Sequence, residues 1–172
     1  MYKIKKRNEN RKDKPGISNT QQERNKLYHY TVFQWYGQIV SDGYIKPAYE
    51  HIPENERKAV WLSTNPVWEE TANKNMDENG RLIQLDKKGT HALGGGLVRI
   101  EVPFDLTVGW DEFLRTSGIE KQRADGLVRA AKKKGSMPSD WRVSFEPIYV
   151  KDWIGVEFFD WDKQTWVPYD EL

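Results

Sequence analysis

The stretch Leu27-Tyr28-His29-Tyr30-Thr31-Val32 is a run of aromatic and β-branched residues that passes directly into Phe33-Gln34-Trp35-Tyr36-Gly37-Gln38-Ile39-Val40. The first six residues have the composition of a short strand. In the second segment the apolar positions 33, 35, 36, 39 and 40 fall at spacings near three and four, which predicts one face of a helix. Ser41-Asp42-Gly43 ends that helix, with Gly43 free to take the left-handed conformation at its C-terminus. Tyr44-Ile45-Lys46-Pro47 then leaves as an extended segment. A strand carrying a histidine, followed at once by a helix, is the unit from which the rest of the reading proceeds.

Downstream, residues 49–58 read as a surface loop and Ala59-Val60-Trp61-Leu62-Ser63 as a second strand. Thr64 or Asn65 can cap a helix with Pro66 at its first position and Glu69 and Glu70 in its first turn, so a helix is expected from about Pro66 to Lys74. Residues 75–96 read as loop. Leu97–Val102 alternates and predicts a strand, and residues 110–134 contain a helical stretch ending in an Ala/Arg/Lys-rich segment. After the turn cluster 135–140 come three late strands, Trp141–Phe145, Ile148–Trp153 and Gly155–Phe159. Asp160-Trp161-Asp162 and Gln164–Val167 complete an expected terminal hairpin. Helices early and strands late, with no internal repeat, predict an α+β domain over residues 26–172.

Residues 1–25 are polar and hold no apolar period, and they are expected to form a disordered basic arm. Residues 1–26 carry nine Lys and Arg against three Asp and Glu, a balance of +6, so the remainder sums to −5 within the net +1. That near-neutral body argues against a dedicated nucleic-acid groove. The 172 residues contain no Cys, which excludes a disulfide framework, thiolate metal sites and a Cys nucleophile. No apolar run approaches the ~18 residues of a membrane span, and a cytoplasmic protein is expected. Eight Trp, eight Tyr and six Phe make 13% of the chain aromatic, enough to build a core from few side chains.

Most familiar motifs fail on inspection. Gly94-Gly95-Gly96 lacks the spacing and the following Lys-Ser/Thr of a phosphate cradle and precedes a strand, so it reads as a loop. His29, His51 and His91 share no ligand spacing, and no metal is expected. No G-x-S-x-G elbow is present. The Lys132-Lys133-Lys134 run reads as a solvated helix end.

What remains is an order of features: strand with His29 and Thr31, helix, Gly43-x-Ile45-x-Pro47, a second strand ending in Ser63-Thr64, a polar helix, and a distant strand glutamate, Glu146. This order resembles the ADP-ribosyltransferase superfamily, in particular its histidine class, which includes the diphtheria-toxin-like enzymes and the RNA 2′-phosphotransferases. Ile39 fits the same pattern, and the match is good over about residues 27–74 and loose beyond. Tyr30 stands where the family usually has Gly. The opening LYHYT also resembles a scattered group of small bacterial and phage proteins, from which no activity carries over.

The resemblance implies split antiparallel sheets with short helices, and NAD as a substrate whose ADP-ribose passes to an acceptor: protein, nucleic acid or water. It implies that His29 orients the nicotinamide ribose and that Tyr30, Thr31, Ser63 and Thr64 line or brace the dinucleotide site. Trp61 and Trp68 would supply the stacking surface, and Glu146 would be the catalytic carboxylate, with Glu101 as its substitute. Two further readings stand beside it. One is a nucleotide-binding module without turnover. The other is a partner-binding protein whose exposed tryptophans form an interface.

Overall fold

The computed structural model describes residues 26–171; the expected basic arm lies outside the described residues. The aromatic and branched run forms strand β1 (Tyr28–Val32), and helix α1 (Phe33–Asp42) follows without a linker. Gly43 closes α1 at φ 81°, donating its backbone N–H to the carbonyls of Ile39 and Val40. The chain continues through β2 (Tyr44–Ile45), β3 (Val60–Ser63), the hairpin β4 (Asn75–Glu78) and β5 (Arg81–Gln84), helix α2 (Lys87–Gly94) and β6 (Leu97–Glu101). Next come β7 (Val108–Gly109), α3 (Trp110–Thr116), α4 (Lys121–Lys133) and β8 (Trp141–Ser144). The described chain closes with β9 (Ile148–Tyr149), β10 (Gly155–Asp160) and β11 (Thr165–Pro168).

Every strand pairing is antiparallel, and the fold is α+β. Seven strands run in the order β11-β10-β6-β1-β3-β8-β7, with β2-β9 and β4-β5 as separate two-stranded sheets. The seven-stranded sheet is two half-sheets in substance. β1 pairs with β6 along its whole length, Tyr28↔Glu101 to Val32↔Leu97, whereas β1 and β3 share the single pair Tyr28↔Ser63. Past that pair the two strands part, and side chains replace the ladder. His29 Nδ1 donates to the carbonyl of Trp61 at 3.0 Å, and the Tyr30 hydroxyl donates to the carbonyl of Asn65.

Period-2 alternation gives each sheet face its own core. Leu27, Leu62, Val98, Ile100 and Phe158 pack with Tyr36 and Ile39 of α1 on one face. Tyr28, Tyr30, Val32, Leu97 and Phe159 pack with Trp68 on the other. A third cluster, Ala59, Phe113 and Val143 with Trp61 and Trp110, fills the space over the smaller half-sheet.

Three expectations are corrected. Strands are spread along the chain, with α4 lying between β7 and β8. The helix expected over Pro66–Lys74 is only a single 3₁₀ turn, Glu70–Ala72, because its polar residues bond elsewhere: Trp68 Nε1 donates to Asn73 Oδ1 at 3.0 Å, and Glu69 turns inward. The stretch 75–96 is structured. Asn79-Gly80, both at positive φ (56° and 79°), make the two-residue turn of the β4–β5 hairpin. Asp86 then caps α2 by accepting from the Gly89 N–H at 2.7 Å. The triple glycine is therefore a helix end: Gly95 takes φ 71°, and a Cβ on Gly94 would collide with the Val32 side chain. Among the described residues no helix is long and apolar enough to cross a membrane.

Candidate functional site

The parting of β1 and β3 opens a cavity of about 510 Å³. Its walls are Tyr28, His29 and Tyr30 from β1, Trp61 and Ser63 from β3, and Trp141 at the start of β8. The segment Glu69–Lys74 closes one side. Leu127 and Ala130 of α4, with Lys134 just beyond it, close another; their spacings of three and four place them on one helix face.

His29 is the best-defined group. A carbonyl can only accept, so the bond to Trp61 fixes the proton on Nδ1 and leaves Nε2 as an acceptor. Burial pushes the His29 pKa down to about 4, against the stabilising Trp61 hydrogen bond and with the help of the nearby Lys74 charge. The ring is neutral at physiological pH, and Nε2 has no protein partner among the described residues.

Glu69 is the cavity's carboxylate, and it is buried. One oxygen accepts from the Thr71 N–H (3.2 Å), the Thr71 hydroxyl (2.6 Å) and the Ser136 hydroxyl (2.5 Å). The other accepts from Ser63 alone, at 2.9 Å, and so keeps acceptor capacity. Burial of Asp140 itself and, second to it, the Glu69 charge raise the pKa of Asp140. Lys74 lines the same cavity with no carboxylate within ion-pair distance among the described residues, and burial lowers its pKa. The cavity thus offers a neutral imidazole acceptor, a pinned carboxylate, a desolvated ammonium, and the aromatic surface of Trp61 and Trp141.

The residues expected from the sequence divide. His29, Tyr30, Trp61 and Ser63 meet in the cavity. Thr31 is buried within β1 and does not line it. Thr64 is tied to the carbonyl of Asp140 through its N–H (2.8 Å) and its hydroxyl (3.3 Å). Trp68 belongs to the core, edge-on to Tyr30 at 5.1 Å and stacked on Trp166 at 6.4 Å, so it offers no face to a ligand. Trp141 takes its place as the second cavity tryptophan.

Glu146 is the main correction. It is exposed and lines a separate cavity of about 360 Å³ with Arg57, Asp105 and Asp152. β8 ends at Ser144, whose hydroxyl accepts from the Glu146 N–H (3.2 Å) and donates to the Glu146 carbonyl (2.8 Å), bending the chain out of the sheet. Glu101 ends β6 and pairs with Lys26 at 3.8 Å; it does not reach the cavity either. Glu69, Lys74 and Trp141 are among the cavity residues that the sequence did not single out. The signal for Glu69 was present: a polar WEETANK segment that starts at Trp68, shortly after a strand ending in Ser63. Among the described residues no group of three or more His, Cys, Asp or Glu is placed to hold a metal.

No protein-family model matches this chain, and no curated protein or solved structure matches it either.

Proposed function

We propose that the chain is an NAD-dependent ADP-ribosyltransferase-like protein that holds the nicotinamide ribose in the split between its half-sheets. The observation that carries this reading is His29: a neutral imidazole fixed as an Nε2 acceptor, at the point where two antiparallel half-sheets part over a cavity walled by Trp61. A volume of about 510 Å³ lies within the ~300–1,000 Å³ range of small-molecule sites.

In the reaction, the bond between ribose C1′ and the nicotinamide nitrogen breaks with its electron pair leaving on nicotinamide. The acceptor's nucleophile then attacks C1′ and gives up its proton. His29 Nε2 accepts from a ribose hydroxyl and so orients the sugar. The Trp61 indole faces the cationic ring, a contact worth ~0.5–2 kcal/mol depending on how much water is excluded. The open acceptor site on Glu69 takes a second ribose hydroxyl and opposes the positive charge that develops at C1′. Lys74 and Lys134 supply countercharge for the pyrophosphate. The acceptor, whether protein, nucleic acid or water, belongs to the proposal as a class only.

The test is a titration of the full chain with NAD, following tryptophan fluorescence and free nicotinamide together. Quenching with nicotinamide release is expected. Glu69→Gln should lower turnover by about 10²–10³ with affinity changed less than ~3-fold, because the charge matters most as C1′ becomes cationic. Glu146→Gln should leave both unchanged. A folded protein that neither quenches nor releases nicotinamide would refute the reading, and a loss confined to Glu146→Gln would return the chemistry to the other cavity.

One observation favours a second reading, nucleotide binding without turnover. Glu69 already accepts four hydrogen bonds, which suits a structural carboxylate as well as a reacting one. That reading predicts quenching with no nicotinamide released under any acceptor.

A further inference from the structure

Trp141 Nε1 is buried with no hydrogen-bond partner, and no other buried side-chain nitrogen or oxygen among the described residues is in that state. Three other tryptophans have their indole N–H satisfied. Trp68 donates to Asn73 at 3.0 Å, Trp153 to the Ile148 carbonyl at 3.4 Å, and Trp166 to the Val67 carbonyl at 2.9 Å. A buried donor left unmade costs about 1–3 kcal/mol. Trp141 is 5% exposed, and it lines the cavity between the half-sheets.

The ring has little freedom to seek an acceptor elsewhere. It stands edge-to-face with Trp61 at 6.0 Å and 86°, and with Trp110 at 5.3 Å and 83°. Its backbone pairs opposite Ser63, the residue that anchors Glu69. Trp141, with its unpaired indole N–H, therefore lines the same cavity as His29, whose Nε2 is left as an acceptor. A carbonyl oxygen is the complement of that N–H, and the nicotinamide ring carries one in its carboxamide.

We infer that Trp141 is the specificity residue of this cavity, donating its indole N–H to the carboxamide oxygen of the nicotinamide ring. The assignment rests on the NAD reading above and adds to it a discriminating contact: the site selects a ring that bears a carbonyl, and the unmade bond in the free protein is completed by the ligand. Removing the donor without removing the aromatic bulk relieves the free protein of an unsatisfied group while depriving the ligand of a partner, so stability and affinity move in opposite directions.

Calorimetric titration of the full chain with NAD and with ADP-ribose, which lacks the nicotinamide, tests this. Trp141→Phe should bind NAD ~10-fold more weakly, the ~1.4 kcal/mol of one hydrogen bond. It should bind ADP-ribose within ~2-fold of the unaltered chain, with a melting temperature equal or higher. A purely packing role would lower the melting temperature and weaken both ligands alike, and that pattern overturns the assignment, as does unchanged NAD affinity. Should the variant fail to fold, the unaltered chain titrated with the thioamide analogue of NAD tests the same contact: weaker binding than NAD supports the donor, and equal binding removes it. If the unaltered chain binds neither NAD nor ADP-ribose, the NAD reading itself fails and takes this assignment with it. Binding of NAD that is indifferent to Trp141→Phe overturns the assignment alone.

Discussion

Replacing Arg99 with Met is expected to cost about 3–5 kcal/mol of folding free energy, the loss typical of breaking a buried ion pair from one side. For a chain of this size that lowers the melting temperature by about 10 °C or more. Arg99 lies in the middle of β6 with 9% of its side chain accessible, and its Nε meets Glu157 of β10 at 2.5 Å. The guanidinium lies over the rings of Tyr28 at 4.2 Å and Trp166 at 4.7 Å, and it also donates to the Pro66 carbonyl. Burial works against the cation, yet the Glu157 hydrogen bond and charge override it and raise the Arg99 pKa. Met fills much of the volume but leaves Glu157 and the Pro66 carbonyl without their donor. Because Pro66 begins the segment leading to Glu69, the same change loosens the cavity wall. Urea unfolding of Arg99→Met, Glu157→Gln and the double variant measures the loss and the coupling. A loss below ~1 kcal/mol would place the pair with ordinary surface salt bridges and reject this account.

The strands β1, β3 and β6, helix α1 and the terminal hairpin were legible because their patterns are local: period 2, spacings of three and four, and a glycine at a helix end. The Pro66–Lys74 segment misled because Asn65, Pro66, Glu69 and Glu70 carry local helix-start signals, while Trp68, Glu69 and Asn73 spend their polar groups on one another, on Ser63 and on Ser136, which no local pattern reports. The β4–β5 hairpin was legible and missed; Asn79-Gly80 is a strong two-residue turn signal. In the site, alternation does not decide the outcome. Tyr28, His29 and Tyr30 of β1 and Trp61, Leu62 and Ser63 of β3 all line the cavity where the strands part, whereas Thr31 does not. Glu146 rests on the resemblance to a family with a late-strand glutamate, and the Ser144 bend, a feature of two hydrogen bonds, carries it to another cavity. Glu69, Lys74 and Trp141 become a site only when α4 and the split sheet enclose them, a packing relation between segments far apart in sequence.

The split that defines the site also sets how the protein responds to acid. Below pH 6.5 an unfolded chain protonates His29, while the folded chain holds the ring neutral down to about pH 4. Between those values the unfolded state binds more protons, so stability falls as pH falls, and the fall is complete once pH drops below the folded pKa. The separation from 6.5 to about 4 corresponds to about 3 kcal/mol at its limit. His29→Gln keeps a donor for the Trp61 carbonyl and carries no titrating proton. The difference in unfolding free energy between the unaltered chain and this variant should therefore be flat above pH 7 and should shift against the unaltered chain by about 3 kcal/mol by pH 4. Taking the difference removes the carboxylates common to both, including Asp140, whose raised pKa acts in the opposite direction. The same neutrality governs the site: Nε2 remains an acceptor wherever the folded ring is unprotonated. Ligand affinity should hold constant from pH 7.5 to about pH 5, where an ordinary surface histidine would already have lost its lone pair. A half-loss of affinity near pH 6.5 that disappears in His29→Gln would show that the ring titrates freely. The bond to the Trp61 carbonyl would then not fix it as the acceptor on which the proposed chemistry depends.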